Sequence, residues 1–234
     1  MKNIIKDFLL DIFFPKFCLN CQKEGELLCE DCKSLFDISE YHFCLCQKPN
    51  KLPQFGKCPK CRSKSLSGLY FVLPYQNNLV KNLIQKFKYE PFVKELAVPL
   101  SNLILTYFQL MANPPSFSGF ILIPIPLTKK RLKWRGFNQA EEIGKIVSKS
   151  LNIPLVYDVL IKIKENSPQM KLNAAEREKN ILGVFACKNE EKIQGKKILL
   201  VDDVYTTGAT MEEAAKVLKT AGAKEVWGLV VARG

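Results

Sequence analysis

Residues 198–210, ILLVDDVYTTGAT, decide how this chain is read. Four apolar residues run into the adjacent acids Asp202 and Asp203, and a small-residue turn through Thr206, Thr207 and Gly208 opens the next segment. A short apolar run closed by a turn predicts a buried strand, here 196–203, and the spacing after it predicts a helix over 208–222. Working outward, strands are expected at 66–75, 120–126, 157–163 and 225–233, and helices at 77–90, 93–111 and 138–151. Residues 113–119 and 164–180 read as loops. Strands alternating with helices predict an α/β domain, 66–234, with a parallel sheet flanked by helices. Such sheets bind ligands at the carboxyl ends of their strands.

That placement gives the paired acids a chemical meaning. Backbone N–H groups at a helix start are unpaired and carry partial positive charge. Small residues at Gly208 and Ala209 let a phosphate approach them, and Thr206, Thr207 and Thr210 add hydroxyl donors. Two carboxylates repel a phosphate, so Asp202 and Asp203 suit hydroxyl groups or a metal beside it. A ribose 5-phosphate satisfies both halves. The plainer alternative is a strand–turn–helix whose Asp and Thr residues only cap.

Composition bounds the rest. The 234 residues allow one full domain plus a small module, and with 47% hydrophobic residues a sizeable core is available. A net charge of +12 favours a polyanionic partner, although a basic protein without one would carry the same charge. No apolar run reaches the roughly 20 residues of a spanning helix. Lys6 and Asp7 break the early apolar stretch, as no secretory signal would. A cytoplasmic chain is expected. Residues 1–16 place Ile4, Ile5, Phe8, Leu9, Ile12 and Phe13 at helical spacing, with Pro15 as the stop. This amphipathic helix docks on the protein or lies along a membrane face as a peripheral contact through residues 1–14.

Eight of the nine cysteines fall within 17–65, as Cys18–Cys21, Cys29–Cys32, Cys44–Cys46 and Cys58–Cys61. Paired thiolates at these spacings suit tetrahedral Zn²⁺, and disulfides are rare in a cytoplasmic chain. The simplest assignment is one site from Cys18, Cys21, Cys29 and Cys32 and another from Cys44, Cys46, Cys58 and Cys61. The tighter CxC pair leaves open whether the second site is complete. His42 either replaces a sulfur there or is a surface histidine. Four sulfurs leave no position for a catalytic water, so the role is structural or for docking. Metal loss is expected to unfold the module and spare the larger domain. Cys187 stands alone and reads as a core residue.

The stretch VDDVYTTGAT resembles the motif by which type I phosphoribosyltransferases bind 5-phosphoribosyl-1-pyrophosphate (PRPP). Together with PIPLTKKRLKWRGFNQAEEIGK (124–145), PQMKLNAAEREKNILGVF (168–185) and the cysteine-rich start, the whole chain resembles the ComF family of competence proteins. The resemblance implies a phosphoribosyltransferase fold and a part in DNA uptake during natural transformation. It implies that Asp202 and Asp203 hold ribose hydroxyls, and do the catalytic work if transfer occurs. Thr206, Thr207, Gly208, Ala209 and Thr210 would hold the 5-phosphate, and Leu127 and Thr128 the pyrophosphate, with Mg²⁺ accompanying PRPP. Lys164, Lys171 and Arg177 fall on the loop that covers the site in such enzymes. Thr206 stands where purine-salvage members often carry an acid, which argues against that reaction without excluding other transfers.

The stretch KKRLKWRGF (129–137) sets Lys129, Lys130, Arg131, Lys133 and Arg135 around Trp134 and Phe137. Cations and rings together suit single-stranded DNA. Alternatively the cations serve pyrophosphate and the rings pack in the core. Three functions are therefore expected to compete: a competence factor binding PRPP and single-stranded DNA, an active phosphoribosyltransferase, and a zinc adaptor docking a DNA translocation motor.

Overall fold

A computed structural model describes residues 15–38, 42–164 and 181–234. Residues 1–14 of the helix expected over 1–16, and Lys171 and Arg177, lie outside the described residues. In chain order the elements are α1 (Glu30–Lys33), β1 (His42–Phe43), β2 (Lys51–Leu52), β3 (Gly68–Pro74), α2 (Asn78–Lys88), α3 (Ala97–Leu110), β4 (Phe120–Pro124), α4 (Lys129–Arg135), α5 (Gln139–Leu151), β5 (Leu160–Lys162), β6 (Phe185–Cys187), β7 (Lys197–Tyr205), α6 (Ala209–Thr220) and β8 (Glu225–Arg233).

The central sheet runs β3-β8-β7-β4, and every pairing in it is parallel. The sequence explains the order. Ile198, Leu199, Leu200 and Val201 are all 0% exposed, as expected of a strand covered on both faces. Val80, Leu83, Ile84 and Phe87 of α2 and Leu100, Leu103, Ile104 and Tyr107 of α3 belong to one core cluster. Met211, Ala214, Ala215 and Leu218 of α6 belong to the other. Helix starts are capped as their residues dictate. Asn77 accepts from Leu79 N and Val80 N at α2, and Asn138 accepts from Ala140 N at α5. Among the described residues no helix is long and apolar enough to cross a membrane.

Two expectations are corrected, and one stretch with no expected conformation gains one. Residues 157–163 supply no strand of the parallel sheet: β5 pairs antiparallel with β6 in a separate two-stranded ribbon. Its apolar residues face the VFAC segment at 184–187, so pairing with that segment wins over joining the sheet. The stretch 129–137 is helical over Lys129–Arg135, because Thr128 caps its start and Gly136, at φ 81°, ends it in the left-handed conformation. Finally β7 continues to Tyr205, so Asp202 and Asp203 lie within the strand rather than at its last residues. Asp202 stands in register with Val230 of β8.

The cysteine segment is not a free appendage. Cys18, Leu28, Cys29, Cys32 and Phe36 belong to the core that holds α2 and α3. Cys44, Leu45, Cys58 and Cys61 belong to the core under α6.

Candidate functional site

Neighbouring residues on a strand leave it on opposite faces. Asp203 is accordingly buried, and its Oδ1 lies 2.8 Å from the Nζ of Lys88 at the end of α2. Asp202 is half-buried and accepts a hydrogen bond from the backbone N of Asp203 at 2.9 Å. Burial, then the charge of Asp203, pushes the Asp202 carboxyl up to about 7, against the pull of Lys88. For Lys88, burial favours the neutral form, but Asp203 and Asp202 outweigh it and its pKa is raised. Burial of Ile198 to Val201 supplies about 6–12 kcal/mol, of the same order as desolvating the two ions of the pair at several kcal/mol each.

A second cation faces the same acids. Burial lowers the pKa of Arg135, offset in part by Asp203. Its guanidinium stands 5.9 Å from the centre of the Tyr89 ring and donates through Nη1 to Gln139. Its buried Nε has no hydrogen-bond partner among the described residues. Arg135 therefore parts from the rest of α4. Lys129, Lys130, Lys133 and Trp134 are exposed, with Trp134 edge-on to Phe92 at 4.9 Å, whereas Phe137 is buried against Phe87. The two rings of the basic stretch thus divide between surface and core.

The residues RGFNQAE are fixed one by one. Asn138 donates to the carbonyl of Ile125 at 3.0 Å, which secures the turn carrying Leu127 and Thr128. Gln139 donates to the carbonyl of Phe87 at 2.7 Å and so ties α5 to the turn of chain that holds Lys88. Thr128 accepts from Arg131 N at 3.3 Å.

At the other end of the acids, Gly208 begins α6 with φ 81°. A Cβ there would meet Tyr205 Oη at 2.1 Å, so both conformation and space demand glycine. Thr207 Oγ1 accepts from Ala209 N at 3.4 Å. Lys164 is exposed beyond β5 with its Nζ beside Gly183, whose N donates to Glu213 of α6 at 2.8 Å.

Lys88 was hidden to sequence reasoning but left a trace. It continues the buried spacing of Val80 and Ile84, and a charge on an apolar helix face asks for a buried partner.

The cysteines form two tetrads, Cys18, Cys21, Cys29, Cys32 and Cys44, Cys46, Cys58, Cys61, the sulfurs of each within 4.8 Å of one another. The CxC pair closes the second tetrad, and His42 is in neither: its ring lies tilted by 37° against Phe55 with ring centres 3.8 Å apart. Each tetrad contains one acidified thiol. Burial would raise Cys18, but backbone N–H groups, led by that of Cys21, lower it to about 6. Burial opposes Cys58 likewise, and the Cys61 backbone and neighbouring thiols lower it to about 7. Asn50 N donates to Cys44 Sγ at 3.2 Å and Asn20 Nδ2 to Cys32 Sγ at 3.2 Å. Four convergent sulfurs with N–H donors and a ready thiolate suit a tetrahedral metal such as zinc.

Comparison with known proteins bears on both halves. Residues 138–234 match the phosphoribosyl transferase domain family. The chain is 29% identical over 209 residues to Competence protein ComFC of Bacillus subtilis, covering 86% of this chain and 81% of that one. An adenine phosphoribosyltransferase structure from Leishmania tarentolae superposes with a TM-score of 0.35 at 18% identity, over 65% of this chain and 60% of that one. Competence protein ComFC of Streptococcus pneumoniae is 30% identical over 212 residues, covering 88% of this chain and 87% of that one. A parallel phosphoribosyltransferase sheet behind a cysteine-rich start, matched along nearly the full length of that relative, means that this chain belongs to the ComFC family of competence proteins.

Proposed function

We propose that the chain binds Mg²⁺–PRPP and single-stranded DNA as a competence factor. The observation that carries this reading is the charge layout around β7. Lys88 is ion-paired to Asp203, Arg135 lies within electrostatic reach of both acids, and the glycine-started α6 follows β7 directly. PRPP has a diol flanked by a pyrophosphate and a 5-phosphate. The acids accept from the ribose hydroxyls, α6 and its threonines hold the 5-phosphate, and Arg135 and Lys88 join the Leu127–Thr128 turn at the pyrophosphate. Mg²⁺ accompanies the pyrophosphate, since this ion prefers phosphate and water oxygens. Calorimetry with Mg²⁺–PRPP tests the reading, and binding no tighter than that of ribose 5-phosphate alone would remove the pyrophosphate role. Screening nucleophilic acceptors for pyrophosphate release then separates binding from transfer.

The DNA half rests on the outward side of α4. Lys129, Lys130 and Lys133 are exposed beside Trp134, which is 54% exposed and free to stack on a base on the side away from Phe92. Replacing Lys129, Lys130, Arg131 and Lys133 by Ala is expected to lower the salt slope of single-strand binding by about 2–3. Trp134→Ala is expected to weaken binding by about 1–3 kcal/mol with the slope unchanged. Filter binding across a salt series reads both, and an unaltered slope in the quadruple variant moves DNA to another surface.

Both tetrads are read as zinc sites. Elemental analysis of the purified protein is expected to return about two zinc ions per chain, and a value below one refutes the assignment. Because each tetrad belongs to a shared core, metal loss is now expected to reach the larger domain.

A further inference from the structure

The two tetrads are attached to the domain differently. The first meets α2 through Asn82 Nδ2, which donates to the carbonyl of Leu19 at 3.4 Å. The second is bonded to the strand ends around the phosphate loop. Leu45, between Cys44 and Cys46, accepts at its carbonyl from Tyr205 Oη at 3.5 Å. The carbonyl of Cys46 accepts from Arg233 Nη2 at 2.8 Å. Ser65 N and Leu66 N, just past Cys61, both donate to Glu212 in the first turn of α6.

Tyr205 and Arg233 are 2% and 4% exposed, in register at the ends of β7 and β8. The guanidinium lies 5.3 Å from the Tyr205 ring centre and 5.5 Å from that of Phe71. The same tyrosine fills the space beneath Gly208. A divalent metal on four thiolates carries a net charge of −2, and a buried guanidinium nearby offsets it. Arg233 is within electrostatic reach of Cys44, Cys46 and Cys61, and its buried Nη1 has no hydrogen-bond partner among the described residues.

We infer that Tyr205 and Arg233 are positioning residues that link metal occupancy of the Cys44, Cys46, Cys58, Cys61 tetrad to the phosphate loop at Thr206–Thr210. Metal orders both cysteine arms. The arms fix Tyr205, Arg233 and Glu212, and these hold Gly208 and the start of α6 in the ligand-ready conformation. By linkage, an anionic ligand at the loop then strengthens metal retention in that tetrad by the same factor. The inference rests on the metal reading of the tetrads and on the phosphate reading of the loop.

Hydrogen exchange on the full-length, metal-loaded protein tests the first link without any ligand. Cys58→Ser is expected to speed exchange of amides 206–212 by about tenfold, with β4 still protected, whereas Cys21→Ser leaves 206–212 unchanged. Equal protection of 206–212 in both variants overturns the inference. If Cys58→Ser does not fold, Arg233→Gln decides the matter. It is expected to keep two zinc ions but release one to a chromogenic chelator about fivefold faster than wild type, and a wild-type release rate overturns the inference. The ligand arm adds Mg²⁺–PRPP to the wild-type release assay. Slower release of one ion supports the linkage, and binding by calorimetry with unchanged release refutes it. Absence of PRPP binding beside an intact exchange effect would strike the PRPP reading and leave the coupling standing.

Discussion

Asp203→Asn is expected to abolish PRPP binding and to lower the melting midpoint of the ligand-free protein, whereas Asp202→Asn abolishes binding and raises that midpoint at pH 8. The two acids are adjacent in sequence but differ in what faces them. Asp203 is buried and paired with Lys88 at 2.8 Å. Deleting one partner of a buried pair costs ~3–5 kcal/mol because the other charge is stranded. Lys88 is 27% exposed, which brings the expectation to the lower end. In a chain of this size that is a fall of about 6–12 °C.

Asp202 behaves oppositely. Its folded-state pKa is raised to about 7 from the ordinary 3.8. Between those values the folded state holds a proton that the unfolded state has lost, so stability falls as pH rises through that window. Above it the half-buried carboxylate carries its full penalty, and an amide removes it. The advantage of Asp202→Asn over wild type should therefore be larger at pH 8.5 than at pH 6. Paired melting curves measure it, and both proteins carry the same tetrads, so metal effects cancel in the difference. A pH-independent gap, or an Asp203→Asn protein as stable as wild type, contradicts this account. Both amides lose charge-assisted bonds to ribose hydroxyls of about 1.5–3 kcal/mol each.

The second large effect is expected at Gly208. Gly208→Ala should weaken PRPP binding by about 100-fold or more, from two sources. The left-handed conformation costs an L-residue roughly 1–2 kcal/mol. The new methyl would also stand 2.1 Å from Tyr205 Oη and 2.2 Å from its Cζ. Tyr205 has nowhere to retreat, since Arg233 covers its ring and the carbonyl of Leu45 meets its hydroxyl. The backbone must move instead, which turns the amides at the start of α6 away from the phosphate. Calorimetry reads the loss, and wild-type affinity in Gly208→Ala would mean that the 5-phosphate is held elsewhere.

Much of this was legible in the residues. The run ILLV before the acids marked the central strand, and the cysteine spacings marked both tetrads, because these signals are local. What escaped was set by partners distant in sequence. Residues 157–163 have the composition of a sheet strand, and only the presence of 185–187 decides that they pair elsewhere. The charges in KKRLKWRGF masked a capped helix, and nothing in the stretch separates the half-buried Arg135, held by Gln139 and Tyr89, from the outward lysines. Lys88 lies far along the chain from its acid. Tyr205 lies within the decisive motif, yet its task depends on the CxC pair, a contact that no periodicity foretells.

The place of β8 has a consequence for how the chain reaches its fold. β8, which follows the other described strands in sequence, is inserted between β3 and β7, so that Gly68 meets Trp227 and Lys197 meets Glu225. During synthesis β3 leaves the ribosome well before β8 and waits, with an open edge, for a partner encoded much later in the chain. Such distant pairings close slowly, and an unpaired apolar edge invites association with other chains. Until residues 225–233 emerge, β7 and β4 can pair while β3 cannot. The nascent chain therefore carries β3 with both hydrogen-bonding edges open until residues 225–233 arrive.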